Sequence, residues 1–163
     1  MDYPQEKPVN RFVDVMIAWP VRVSAPLQAL GPLLARLAVG WVFLWSGWGK
    51  LDALPQVIEN FRGWGIPAPE VLAPFVSGVE FVGGILLLLG LLTRIAAVPL
   101  AITMIVAIRS VLWADVHSLF DLLALSEFAY LAIFVWLAIA GPGALSLDHA
   151  LVRKADARSL PSA

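Results

Sequence analysis

Four long runs of apolar residues, separated by short polar segments, dominate the chain. The runs cover about residues 31–51, 71–92, 94–113 and 119–140. A hydrocarbon layer ~30 Å thick is spanned by a helix of about 20 apolar residues, because each residue adds ~1.5 Å along the helix axis. The pattern therefore predicts four membrane-spanning helices.

Turn-forming residues mark the boundaries of the predicted helices. The segment 52–70 is rich in proline, glycine and charged residues, so we expect an extramembrane loop with room for one short helix. Gly90, followed by Thr93 and Arg94, predicts a tight hairpin between the second and third helices. The fourth helix is expected to stop at Gly141-Pro142-Gly143.

The two ends of the chain differ from this apolar central part. Residues 1–30 combine charges, prolines and a tryptophan with moderate hydropathy, which is typical of a segment in the headgroup region and not of a cleavable signal peptide. Residues 146–163 are polar and mixed in charge. We predict an all-α integral membrane four-helix bundle over residues 31–145, preceded by an interfacial segment and followed by a cytoplasmic tail.

Composition supports a lipid environment and excludes several classes of function. Hydrophobic residues make up 60% of the chain and charged residues 14%, with a mean hydropathy of +0.84. The net charge of −1 argues against a nucleic-acid partner. Without cysteine the chain itself forms no disulfide and no thiolate metal site. With two histidines and three methionines, we expect no metal and no covalent cofactor.

Lysine and arginine are distributed unevenly between the two sides of the predicted bundle. In a four-span topology both termini share one side with the hairpin after Gly90. That side holds Lys7, Arg11, Arg22, Arg36, Arg94, Arg153, Lys154 and Arg158, and the other holds Lys50, Arg62 and Arg109. Because basic residues stay on the cytoplasmic side, we expect an inner-membrane protein with both termini in the cytoplasm.

Charged side chains within the predicted spans are the main candidates for function. Each costs ~2.5–3.5 kcal/mol to insert, so each requires a partner or a purpose. Glu80 and Glu127 lie at similar depth on the second and fourth helices, Lys50 and Arg109 lie near the outer ends of the first and third, and His117 lies in a polar link. These five residues predict one polar ligand-binding pocket in the outer half of the bundle.

Small residues accompany these charges at helical spacing. Such residues let neighbouring helices approach closely in lipid, which would surround Glu80 with protein. Arg36 shares a stripe of the first helix with Lys50, and we expect its side chain to snorkel towards the membrane surface. The residues assigned to structural packing are Arg36, Gly40, Gly47, Gly83 and Gly84.

Two interpretations of the charged residues remain open from the sequence. Glu80 could form a buried ion pair with Arg109 or Lys50 that only fixes the helix register. Alternatively, the same charges could line a ligand site. For His117, a solvated side chain in a polar link is the alternative to a proton relay.

Several short motifs occur in a fixed order between about residues 33 and 149. They are Arg36-Leu37-Ala38 with Gly40, Ser46-Gly47-Trp48-Gly49-Lys50-Leu51, Gly65-Ile66-Pro67, Glu80 with Gly83-Gly84, Gly90-Leu91-Leu92-Thr93-Arg94, Glu127, and Gly141-Pro142-Gly143-Ala144-Leu145-Ser146-Leu147-Asp148. On a four-span hydropathy pattern, this series resembles the DoxX family.

The resemblance implies a four-helix inner-membrane protein linked to membrane redox chemistry. One branch of that family resembles the small subunit of thiosulfate:quinone oxidoreductase, and other members accompany soluble enzymes as membrane partners. Carried over to this sequence, the polar members of the pattern are Arg36, Lys50, Glu80 and Glu127.

We therefore expect a membrane subunit of a redox system that binds a quinone or similarly amphipathic molecule in the outer-half pocket. Its expected partners are membrane lipid and another protein of a redox complex. A non-catalytic scaffold that recruits partner proteins is the alternative from another class. A small transporter is a third, although the sequence shows no inverted repeat of broken helices.

Overall fold

A computed structural model describes residue 16 and residues 27–159 of the protein, and this part of the chain is helical without β-strands. The helices are α1 (Leu30–Asp52), α2 (Leu54–Gly63), α3 (Pro69–Leu89), α4 (Thr93–Ala107), α5 (Leu119–Ala124), α6 (Ser126–Ala140) and α7 (Leu147–Ser159). A π-helical turn at Ile108–Leu112 and a 3-10 turn at Trp113–Asp115 continue α4.

Three helical segments are long and apolar enough to cross a membrane: Leu30–Asp52, Pro69–Leu89 and Thr93–Asp115. The apolar helix α6 is shorter than these. The predicted class, an all-α membrane helical bundle, is confirmed. The fourth predicted helix, 119–140, is interrupted at Leu125, which has an extended backbone (φ −67°, ψ 134°) between α5 and α6.

Consecutive long helices run in opposite directions, which gives the bundle two chemically different ends. The Lys50 end contains the end of α1, the start of α3, the π-helical turn and the start of α6. The Arg36 end contains the start of α1, the hairpin between α3 and α4, and the turn between α6 and α7. Most of the predicted interfacial segment, 1–30, lies outside the described residues.

The hairpin between α3 and α4 depends on two residues in the left-handed region. Gly90 (φ 65°) ends α3, where its N–H donates to the Leu87 carbonyl and the next N–H donates to the Leu86 carbonyl. This is the C-cap predicted for Gly90. Leu92 (φ 50°) precedes α4 and is not glycine, so its backbone is strained unless other contacts hold it.

The hydrophobic core lies where α1, α3, α4 and α6 meet. Its fully buried members are Val39, Phe43, Leu87, Ala97, Leu100, Met104, Phe134 and Leu137. The ring of Phe43 makes edge-on contacts with Phe134 and Tyr130, with ring centroids 4.9 and 5.5 Å apart. These aromatic contacts fix α6 against α1 at a defined depth.

The loop helix α2 packs on the start of α3. Val57 and Phe61 on α2 are buried and pack against Ala73 on α3. On the surface Arg62 pairs with Glu59 and Glu70, with 2.5 Å between Arg62 Nη2 and Glu70 Oε1. The two carboxylates, Glu59 foremost, raise the pKa of Arg62. The segment 52–70 is therefore held against the start of α3 at the Lys50 end.

Glycines allow α1 and α3 to touch along their backbones. A Cβ at Gly47 would overlap the backbone of Phe81, and a Cβ at Gly84 would overlap the backbone of Leu44. Gly40 is similarly close to the Gly84 carbonyl. The expected close approach through small residues is present, and it surrounds the Glu80 side of α3 with α1.

Candidate functional site

The Lys50–Glu80 ion pair is the centre of the candidate site. Glu80 on α3 is 2% exposed, and Lys50 Nζ at the end of α1 lies 2.6 Å from its Oε1 and 2.7 Å from its Oε2. The Ser46 hydroxyl donates to Oε2 at 2.9 Å. Both oxygens of the buried carboxylate thus have charged or polar partners, which offsets the loss of water.

Helix geometry explains why these three side chains meet. Ser46 and Lys50 are four residues apart, so both point to one face of α1. Gly47, which lies between them, brings that face into backbone contact with α3 one residue after Glu80. A larger residue at Gly47 would move the lysine ammonium away from the carboxylate.

Glu127 lies in the first turn of α6, beside the interruption at Leu125. It is half-buried and accepts a hydrogen bond of 3.1 Å from the Ser126 hydroxyl. Tyr130, three residues later, contacts Phe43, and Ser46 is three residues beyond Phe43 on α1. Glu127 and Ser46 therefore lie at similar depth, each ~4.5 Å nearer the Lys50 end than that aromatic contact.

The structure brings two of the five predicted ligand-binding residues into direct contact. Among the described residues, no hydrogen bond or ion pair joins Glu127, Arg109 or His117 to the Lys50–Glu80 pair. Arg109 is exposed, with its guanidinium 6.0 Å from the ring centroid of Trp113. His117 is exposed, and its backbone N–H donates to the Asp121 carboxylate at 3.0 Å.

Two helix irregularities lie at the Lys50 end. The π-helical turn at Ile108–Leu112 contains Arg109, and the extended Leu125 separates α5 from α6 just before Glu127. π-helical turns and interrupted membrane helices release backbone groups from the regular hydrogen-bond pattern and are frequent at functional sites. The polar pair Ser126-Glu127 inside an apolar run was the available sequence signal for the interruption.

Arg36 does not snorkel, so that expectation is wrong. Its side chain is 1% exposed, and Nη2 donates to the Leu145 carbonyl at 2.5 Å. Gly90 makes room for the guanidinium, because a Cβ there would overlap it. The turn before α7 folds back over the start of α1 and covers the charge. Arg36 is therefore buried, with its hydrogen-bond partner in the turn before α7.

Asp148 also lies at the Arg36 end, and the sequence analysis did not identify it as an important residue. Its carboxylate accepts hydrogen bonds from the N–H groups of Leu92 (2.8 Å) and Thr93 (3.1 Å), and its own N–H donates to the Gly90 carbonyl at 3.0 Å. It therefore caps α4 across the bundle and holds the strained Leu92. The motif that ends at Asp148 was noted in the sequence, but its hydrogen bonds to the start of α4 could not be predicted from it.

Crevices in the described part of the chain include one at the Arg36 end and one between α3 and α4, and no group of three or more His, Cys, Asp or Glu side chains there could hold a metal ion. One crevice, of 710 Å³, lies at the Arg36 end between α4 and α7. The other, of 470 Å³, is an apolar groove between α3 and α4. Neither is lined by Lys50, Glu80 or Glu127.

Comparisons with known proteins agree with this architecture. The sequence model of the DoxX family matches residues 31–115. The chain is 37% identical to the uncharacterized membrane protein Rv3486 of Mycobacterium tuberculosis, over 80% of this chain and 89% of the relative. It is 32% identical to the inner membrane protein YqjF of Escherichia coli, over 78% and 97%.

A third relative has a name that mentions an activity. The chain is 33% identical to the "Putative oxidoreductase CatD" of Bacillus subtilis, over 73% of this chain and 85% of the relative. No solved structure matches the chain. The matched residues contain α1, the hairpin at Gly90 and the Lys50–Glu80 pair, and on these grounds the protein belongs to the DoxX family.

Proposed function

We propose that this protein is a membrane subunit of a redox system and that its Lys50 end binds a quinone or a similarly amphipathic molecule. The observation that carries the proposal is the Lys50–Glu80 pair, a carboxylate 2% exposed with its ammonium partner inside a bundle of apolar helices. Charges in such a position are functional candidates by default, because their insertion is unfavourable.

The residues at this end can bind a polar headgroup. Lys50 has three N–H donors, of which two point to Glu80, and its side chain is 36% exposed, so a third donor can reach a ligand oxygen. Glu127 lies at similar depth and is bound only by Ser126 among the described residues, so it can hold or accept a proton. A bound quinone would supply the two-electron chemistry.

The relatives support a redox role and a membrane location. One of them is named as an oxidoreductase, and another as an inner membrane protein. On these grounds we propose that this protein lies in the bacterial inner membrane and associates with a protein partner of a redox complex. The excess of lysine and arginine at the Arg36 end supports cytoplasmic termini, which directs the Lys50 end outwards.

Quinone titration of the purified full chain tests the proposal. Tryptophan fluorescence is the readout, because Trp48 lies two residues before Lys50. With a short-tailed benzoquinone we expect saturable quenching. For its reduced form, the quinol, Glu127→Gln should weaken binding roughly tenfold, because a neutral amide replaces the charged acceptor of a quinol hydroxyl. Glu59→Gln, an exposed carboxylate on α2, is the matched control and should leave binding unchanged.

The proposal fails if wild-type protein shows no saturable quenching, or if Glu127→Gln binds the quinol as wild type does. The first result would favour the second candidate, a scaffold that anchors partner proteins. One observation favours that candidate: both oxygens of Glu80 are already bound within the chain, as expected of an ion pair that only fixes the register of α1 and α3.

A further inference from the structure

The larger crevice lies at the Arg36 end, opposite the Lys50–Glu80 pair. It has a volume of 710 Å³ and is formed by the start of α4, the turn after α6, and α7. Its position beside the first turn of a membrane-spanning helix places it near the level of the lipid headgroups. Nothing in the proposed redox site uses it.

The walls of the crevice are apolar and open. Ile95 on α4 is 68% exposed, and Leu151 and Val152 on α7 are 56% and 59% exposed. Exposed apolar side chains facing each other across a gap bury little surface on their own. A hydrocarbon chain inserted between α4 and α7 would cover them.

One cation stands at this crevice with most of its donors unused. Arg94 is exposed, and among the described residues its one hydrogen bond runs from Nη2 to the Ala140 carbonyl at 3.3 Å. A guanidinium has five N–H donors in a planar fork, so several remain for an anion. His149 also lines the crevice and is exposed.

The acidic residue of the crevice does not oppose an anion strongly. The two oxygens of Asp148 accept hydrogen bonds from the backbone N–H groups of Leu92 and Thr93. Its charge is therefore shared with the positive end of α4. Arg153 and Lys154, both exposed on α7, add positive charge to the same end of the bundle.

We infer that this crevice binds an anionic phospholipid, with the phosphate on Arg94 and one acyl chain between Ile95 and Leu151. An apolar slot next to an exposed guanidinium fits a ligand that has both parts, whereas a free phosphate would leave the slot uncovered. The site is independent of the proposed redox function. It would attach α7 to the bundle through lipid.

Native mass spectrometry of the full chain with bound lipids tests the inference. The probes are phosphatidylglycerol and phosphatidylcholine with the same acyl chains. We expect wild-type protein to retain phosphatidylglycerol preferentially, and Arg94→Gln to lower that preference roughly tenfold, as for one charge-assisted hydrogen bond. Arg109→Gln removes an exposed arginine at the opposite end and should keep the preference.

A second pair of variants tests the slot without changing a charge. Leu151→Trp fills the crevice from an exposed position of α7 and should reduce retention of both lipids. Ala150→Trp, its neighbour, does not line the crevice and should retain them. Equal lipid retention by all four variants and wild type overturns the inference, as does displacement of phosphatidylglycerol by millimolar inorganic phosphate, which would indicate a simple anion site.

Discussion

Lys50 and Glu80 form an ion pair, but their side chains differ in exposure to the surroundings of the protein. Glu80 is 2% exposed, whereas the Lys50 side chain is 36% exposed and long enough to turn towards the surface. The loss of one partner therefore has unequal consequences. An unpaired carboxylate would stay buried with only Ser46 for a partner, while an unpaired ammonium could be rehydrated.

We predict that Lys50→Met destabilises the bundle more than Glu80→Gln does. A broken buried pair costs ~3–5 kcal/mol, and the exposure of Lys50 should reduce the Glu80→Gln value to about 2 kcal/mol. The double variant should cost less than the sum of the two single variants. Reversible unfolding in mixed detergent measures all three. Additive values would show that the pair contributes no coupling energy.

At the scale of the helices, the contact between α1 and α3 depends on the absence of side chains. Gly47 meets the Phe81 backbone, whereas a Cβ at Gly49 would find nothing within 4 Å. The two glycines are two residues apart in one helix, so they share the same helical propensity and differ by only ~3 Å in depth. They differ mainly in the face that they present.

We predict that Gly47→Ala destabilises the protein by about 1–3 kcal/mol, because α3 must move away to admit the methyl group. The same shift would lengthen the Lys50–Glu80 contact, so the variant should also weaken any ligand binding at that end. Gly49→Ala is the control, and its better helix propensity should stabilise α1 slightly. Detergent unfolding decides, and equal stability of the two variants would contradict the close-contact explanation.

Sequence reasoning located the helices where boundary residues have local causes. Gly90 ends α3 as expected because its left-handed backbone is a property of glycine itself. The interruption at Leu125 and the π-helical turn at Ile108–Leu112 contain no glycine or proline, and only the polar pair Ser126-Glu127 in the sequence indicated the interruption. Arg36 is buried because it donates a hydrogen bond to the Leu145 carbonyl, more than a hundred residues away in the sequence. The spacing of apolar residues along one helix cannot predict such a distant contact.

The same limit applies to the candidate site. From the sequence, Glu80 could pair with Lys50 or with Arg109, because both cations lie at a similar depth. In the structure Glu80 pairs with Lys50, since Gly47 brings α1 into close contact with α3 next to Glu80. The sequence predicted the depth of Glu127 in the membrane, but it could not show whether Glu127 contacts the Lys50–Glu80 pair. Depth follows from counting residues along a helix, whereas lateral contact follows from how four helices pack.

For the whole molecule, the two ends of the bundle carry different charge, and this difference predicts its orientation. The Arg36 end has the hairpin arginine and the basic α7, while the Lys50 end has the loop helix α2 packed on the start of α3. Basic segments are retained in the cytoplasm during insertion. The proposed outward position of the Lys50–Glu80 pair depends entirely on this asymmetry, because nothing in the pair itself distinguishes the two sides of a membrane.

We predict that single cysteines will report this orientation, since the sequence contains no other cysteine. Gly63→Cys, at the exposed end of α2, should react with a membrane-impermeant maleimide in intact bacterial cells whose outer membrane has been permeabilised. Ala155→Cys, exposed on α7, should react only after the inner membrane is opened as well. The reverse pattern would place the Lys50–Glu80 pair on the cytoplasmic side, and a redox partner would then have to be sought in the cytoplasm.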